Sequence, residues 1–331
     1  MSIHIENITF LGEPAVKVTT EKLEGIIVPG WGSNMISLKW LPTGTAILRT
    51  PESAEAYHAR TALYGMPVLF PPNRIENGKF SFQGREYSFP ITDTARNLHN
   101  HGVLRHTAWS LTRAEAEGSA ALVETSVISE NTPAVYASLP HKFTVRQQFR
   151  FTADSVEVTF ILESRDEAAM PWGLGYHTTL VMPLTAEGSL ERCTLTVPVT
   201  KSWALSDKLM PTGELTDYRY AEALSQGIPL AGLELDDVLL ADQDRPVEAV
   251  ITDEAAGLRI AYAADKAFKH WVLFNGGKGN ARGSGFFCPE PYTWVTNAPN
   301  IDLPHELTGV QVLEPGASAA VTTKLTISEM S

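Results

Sequence analysis

From Lys142 to Glu163 the chain alternates with a period of two on both sides of a turn, and few folds can absorb that pattern. Phe143, Val145, Phe149 and Phe151 share one face, while Lys142, Thr144, Arg146, Gln148 and Arg150 share the other. This spacing predicts a half-buried antiparallel strand. A turn at Thr152-Ala153-Asp154-Ser155 reverses the chain, and Val156, Val158, Phe160 and Leu162 alternate with Glu157 and Thr159 on the return. Gln147 interrupts the apolar face and needs a hydrogen-bond partner if buried. Two such strands leave a dry face, which a second layer must cover.

Similar short runs recur along the chain. Ile8-Thr9-Phe10, Ala15 to Val18, Gly25 to Val28 and Met35 to Leu38 read as strands of a meander, and Leu195 to Val199, Val247 to Ile251, Leu258 to Tyr262, His270 to Phe274 and Val310 to Ile327 extend the series. Helical signals are brief. Thr50-Pro51-Glu52 offers an N-cap, a proline and an acid for a helix to about Arg60, and residues 216–225 suit another before Gly227. No repeat appears at a period of roughly 20 to 50 residues. The expected fold is all-β, a large antiparallel β-sandwich with a few short helices, and residues 1–331 are expected to form a single domain.

Composition excludes several roles. With 26 basic against 38 acidic side chains the formal charge is −12, which disfavours a nucleic-acid partner because phosphate binding rests on clustered Lys and Arg. No run reaches the roughly 18 apolar residues needed to span a bilayer, and MSIHIENITF lacks a basic region followed by an apolar core. A cytoplasmic protein without a membrane partner is expected. Cys193 and Cys288 lie far apart without metal-knuckle spacing, so buried thiols are expected.

Chemistry concentrates between Gly65 and Trp109. Val68-Leu69-Phe70 ends at Pro71-Pro72, which puts Asn73 and Arg74 just beyond a strand. Asn77-Gly78 predicts a primed hairpin turn leading into Phe80-Ser81-Phe82, and a second turn follows at Gln83-Gly84-Arg85. The segment closes on His99-Asn100-His101-Gly102. On an extended chain His99 and His101 point the same way, a geometry open to a divalent metal, but no third ligand is evident and no metal is expected. His4, His58, His141, His270 and His305 stand without chemical neighbours and suit surface or core roles.

Two further positions stand out. His177 follows Met170-Pro171-Trp172-Gly173-Leu174-Gly175-Tyr176, whose aromatic rings suit either a core or the face of a sugar. Glu290 sits between prolines after Phe286-Phe287-Cys288; desolvation there would raise its pKa towards that of a useful base, whereas an edge strand would leave it in water.

Taken together, these stretches resemble the aldose 1-epimerase (mutarotase) family over nearly the whole chain. GMPVLFPPNRIENGKFSFQGREY is similar to its strand, Asn-Arg loop and hairpin, and HNHGVLRHTAW to its histidine-glycine segment. Met210-Pro211-Thr212-Gly213-Glu214 matches a mid-chain turn, Leu235-Asp236-Asp237-Val238 an aspartate segment, and CPEPYTWVTNAPN a glutamate motif. The resemblance implies a galactose mutarotase-like β-sandwich that interconverts the anomers of a free hexose without cofactor or metal, acting as a monomer or homodimer. It implies Glu290 as the base on the anomeric hydroxyl and His177 as the acid at the ring oxygen, on opposite sides of one cleft. His101 and Arg74 would hold sugar oxygens and Asp236 a remote hydroxyl, with Asn73 and His99 as further sugar contacts. Arg96 and Arg105 raise the alternative of a hexose 6-phosphate substrate. The Thr178-Thr179 pair after His177 raises that of a non-catalytic carbohydrate-binding protein. A glycoside hydrolase is disfavoured, since it needs two carboxylates across the scissile bond.

Overall fold

The structure, a computed structural model, describes residues 3–280 and 283–330. The alternating stretch forms strands Phe143–Phe151 and Ser155–Ser164, paired from Phe143 with Ser164 to Phe151 with Val156. They lie inside a nine-stranded sheet whose edge hairpin is Ser110–Glu117 and Ala120–Ile128, and whose other half contains Ser318–Glu329, Leu258–Ala264 and Glu248–Asp253. The edge strand Ser110–Glu117 is exposed along nearly its whole length and carries Arg113, Glu115 and Glu117, charges that discourage pairing with another chain. Its Ala-Glu alternation has poor strand propensity, so the sequence gives little sign of it.

The dry face has the second layer it requires. A five-stranded sheet runs from His4–Phe10 to Thr45–Ala46. Beside it lies an eight-stranded sheet containing Asp236–Ala241, His270–Phe274, Phe286–Tyr292 and Gly175–Tyr176. Bridges between Met35 and Met66 and between Leu48 and Leu180 connect these two sheets. Gln147 meets its hydrogen-bond requirement across the two layers: Nε2 donates to the Ser33 carbonyl at 3.1 Å, and Oε1 accepts from the Tyr176 hydroxyl at 3.2 Å. Every strand pairing among the described residues is antiparallel, and four short α-helices accompany them. The result is a large antiparallel β-sandwich, and one apolar cluster extends from Val16 to Ile327.

Several local expectations are corrected. Asn77 and Gly78 do take left-handed φ of 53° and 64°, but the strands on either side pair elsewhere: Arg74–Glu76 with Leu98–Asn100, and Lys79–Phe82 with Arg85–Ser88. The Asn-Gly turn is therefore a corner, and the hairpin turn is Gln83-Gly84. The first helix spans Ala54–Ala59, because the Ser53 hydroxyl accepts from the Ala56 amide at 3.1 Å and caps it; Thr50 and Pro51 lie outside. Residues 211–217 form a strand, so the later helix is confined to Ala221–Gln226. The run from Leu195 to Val199 is two strand ends, Cys193–Thr196 in the nine-stranded sheet and Val199–Leu205 in the eight-stranded one.

Candidate active site

Register within the eight-stranded sheet assembles the floor of a cavity of about 400 Å3. Val272 pairs with Glu290, and Asp236 with Phe274, so these four side chains meet on one face. Gly175 pairs with Tyr292 and Leu180 with Phe287; the same register places His177 opposite Glu290. Gly175 permits this approach, since a Cβ there would lie 2.3 Å from the Tyr292 ring. The glutamate thus occupies a strand flanked by pairing on both sides and is 2% exposed, not an edge position.

Loops between Phe70 and His106 add the upper part. Gly102, at φ 66°, packs against the backbone of Phe70, where a Cβ would approach to 2.3 Å. The Val103 amide donates to the Phe70 carbonyl at 3.1 Å and the His101 amide to that of Asn73 at 2.9 Å, so the two loops hold each other. Asn73, His101 and Asn297 all adopt positive φ here. For His101 in particular this is costly backbone, of the kind that clusters where geometry serves a ligand.

Nε2 of His177 lies 3.3 Å from Oε1 of Glu290, and the Tyr292 hydroxyl donates to Oε2 at 2.5 Å. Acid and imidazole are therefore side by side in one cavity, a correction to the opposed arrangement expected. The His101 ring stands edge-on to His177 with centroids 5.3 Å apart, and Phe274 contacts its other side at 6.1 Å. Burial raises the Glu290 carboxyl well above its ordinary range, partly opposed by the Tyr292 hydroxyl and the Arg74 charge. Burial also holds the His177 imidazole down to about 3, helped by the Arg105 charge. Both shifts favour neutral groups, whereas the short contact favours an ion pair; both arrangements place one proton on the pair.

Arg74, His101 and Asp236 line the same cavity, and so does Asn73, whose Oδ1 accepts from the Arg74 amide at 2.9 Å and from its guanidinium at 3.2 Å. His99 does not. Its Nδ1 faces the Pro90 carbonyl at 2.8 Å and its ring packs on Phe89, because the left-handed turn at His101 swings the two histidines apart. That divergence also removes the metal geometry considered for them. Of the aspartates, Asp237 accepts instead from the Tyr218 hydroxyl at 3.1 Å. Trp172 and Tyr176 are core, and the aromatic wall is Phe274.

Sequence reasoning missed most of one side. His58, Arg60 and Thr61, from the helix and the turn after it, line the cavity together with His106 and with Arg105, the one residue of this side that the sequence had singled out. His58 was expected to have no chemical neighbours; only the alternating basic residues of that short segment hint otherwise. Arg96 lies outside and pairs with Asp93 at 2.9 Å. Among the described residues, one group suits a metal by distance: ligand atoms of His177, Cys288 and Glu290 lie within 4.8 Å of one another. Burial pushes the Cys288 thiol well above its ordinary pKa, and it donates to Thr179 Oγ1 at 3.5 Å, so it remains a thiol, a poor ligand.

Comparison with known proteins agrees with this architecture. A family model described as aldose 1-epimerase matches residues 14–326. The protein YihR of Escherichia coli K12 is 28% identical over 247 residues, covering 71% of this chain and 72% of YihR. A galactose mutarotase-like protein of Clostridium acetobutylicum superposes with a TM-score of 0.91 at 25% identity, over 99% of both chains. Galactose 1-epimerase of Lactobacillus acidophilus NCFM shares the fold over 100% of both chains, with a TM-score of 0.76 at 13% identity.

Proposed function

The chain belongs to the aldose 1-epimerase family, and on that premise we propose that it interconverts the α and β anomers of a free hexose by acid–base opening and closure of the pyranose ring. The observation that carries this reading is the 3.3 Å contact between His177 and Glu290 in one cavity. The anomeric and ring oxygens are bonded to the same carbon, so a base and an acid serving them must be neighbours.

In the forward direction Glu290 removes the proton of the anomeric hydroxyl while His177 protonates the ring oxygen. The bond between the anomeric carbon and the ring oxygen breaks, leaving the open aldehyde. Rotation about the adjacent carbon–carbon bond presents the other carbonyl face; on closure His177 takes back the proton of the attacking hydroxyl while Glu290 returns its proton to the former aldehyde oxygen. One proton leaves the pair and one enters it at each step, so no external donor is required. Arg74 and the Tyr292 hydroxyl oppose the effect of burial and favour the Glu290 anion, the form that leaves the shared proton on His177. His101 and Arg74 hold the reacting oxygens, Asp236 a remote hydroxyl, and Phe274 packs on the sugar face. Proton transfer of this kind contributes about 10²- to 10⁴-fold in rate.

Polarimetry of freshly dissolved α-glucose and α-galactose tests the reading. Acceleration over the spontaneous rate is expected. A panel of aldoses that binds by calorimetry yet equilibrates no faster would make this a carbohydrate-binding protein instead.

A further inference from the structure

The cavity's charge runs against that of the chain. Acids outnumber bases by 38 to 26 overall, yet Arg60, Arg74 and Arg105 all line this one space with Asp236 and Glu290 as the only acids there among the described residues, and burial favours the neutral form of Glu290. Among the described residues none of the three arginines makes an ion pair, although most other arginines do. Arg74 spends its hydrogen bond on Asn73 Oδ1. Arg105 donates to the Thr61 hydroxyl and, at 3.5 Å, to the Asn100 carbonyl, both neutral, and its Nε has no partner among the described residues. Taking a guanidinium out of water without a counter-charge is unfavourable, and burial accordingly lowers its pKa to about 10. A fold has little reason to keep that arrangement unless something else brings the charge.

Arg74 belongs with the reacting oxygens beside Glu290. Arg105 and Arg60 belong to the wall built by residues 58–63 and 105–106, fixed by the Arg105–Thr61 contact. We propose that this wall is an oxyanion subsite, and that the substrate is an aldose carrying a phosphate, sulfate, sulfonate or carboxylate group held by Arg105 and Arg60. Guanidinium groups suit such groups because their N–H pairs match two oxygens at once. This deepens the mutarotase reading and rests on it.

The test compares anomer exchange by NMR for glucose, glucose 6-phosphate, glucose 6-sulfate, 6-deoxy-6-sulfoglucose and glucuronate. At least one charged sugar is expected to exceed glucose by about tenfold in kcat/KM, and which one identifies the anion. Arg105→Met and, independently, the rim variant Arg60→Ser should each reduce that preference several-fold, mainly through KM. Arg60 is exposed, so its variant reports even if Arg105→Met folds poorly. Calorimetry on Glu290→Gln provides a readout without turnover: the charged sugar should bind more tightly than glucose, and less so in high salt. Glucose turned over as well as every charged sugar would overturn the subsite and leave the mutarotase reading standing. No acceleration of any sugar, with selective binding of the charged one retained, would overturn the mutarotase reading and keep the subsite.

Discussion

Two places among the described residues combine a histidine, a carboxylate and a tyrosine hydroxyl, and one of them lines the cavity. In the first, His177 meets Glu290 at 3.3 Å and the Tyr292 hydroxyl donates to the acid. In the second, the Tyr87 hydroxyl lies 2.7 Å from Nε2 of His141, whose Nδ1 is 3.8 Å from Asp166. Asp166 is held low by the Lys142 and Ala168 amides at 2.8 and 3.0 Å, and Arg85 closes over the ring by donating to the Pro140 carbonyl at 2.8 Å. The second trio is a strut, with an acid fixed as an anion and an imidazole kept neutral by burial. The first leaves one proton free to sit on either partner, and leaves Nδ1 of His177 without a partner among the described residues. Residue types alone do not separate the two; proton freedom and access do.

The largest expected effect breaks the comparison at its acids. Glu290→Gln should lower kcat/KM for sugar equilibration by about 10²-fold or more, with little change in Tm, because a neutral amide replaces a group that burial already pushes towards neutrality. Asp166→Asn should leave the rate within about twofold. Equal losses in both variants would show that the proposed division between site and strut is mistaken.

Stability should respond the other way. His141→Phe orphans the buried Tyr87 hydroxyl and should destabilise by about 2 kcal/mol in urea unfolding, with unchanged mutarotation. A rate loss beyond what the unfolded fraction explains would place the strut in the catalytic path.

This contrast also marks what the sequence could disclose. Period-two alternation at Phe143–Phe151 needs only local sterics and one buried face, so the sandwich was legible. Glu290 and His177 were legible through their proline and glycine surroundings, which have few uses outside close packing. Of the facing wall only Arg105 stood out; Arg60 and Thr61 did not, because their place depends on a contact between two loops that no periodicity encodes. The fate of His99 likewise turned on a single left-handed residue, His101. The Asn-Gly corner fooled local reasoning for a related reason: turn chemistry was right, but the partners of its strands are chosen by the histidine segment.

Acid titration sharpens the comparison further. Burial depresses the His141 pKa to about 4, so between about 6.5 and 4 the unfolded chain carries a proton there that the folded one lacks. Stability from this group is complete above pH 6.5 and is lost as pH falls, at up to about 1.4 kcal/mol per unit. The His177–Glu290 pair behaves differently. Where the folded pair holds one proton, unfolding between pH 4.5 and 6.5 moves it onto the histidine and changes no count, so the pair contributes no slope. His141→Phe should therefore flatten the acid limb of stability against pH, while Glu290→Gln should steepen it by exposing the depressed His177 alone. Denaturant titrations at pH 4.5, 5.5 and 6.5 measure both, and identical slopes in the two variants would rule out the shared proton.

The smallest effect concerns Tyr292, which separates the trios by donating to its acid while Tyr87 faces its imidazole. The hydroxyl stabilises the Glu290 anion against burial, whereas the ring packs on Gly175. Tyr292→Phe keeps the ring and removes the donor. The Glu290 pKa then rises, the anion forms later as pH increases, and the acidic limb of the rate profile moves to higher pH by about one unit, the equivalent of a charged hydrogen bond of about 1.5 kcal/mol. At neutral pH the rate should fall a few-fold. A hydroxyl that served packing alone would lower the rate at every pH by one factor without moving the limb, and that result would return Tyr292 to the role Tyr87 plays.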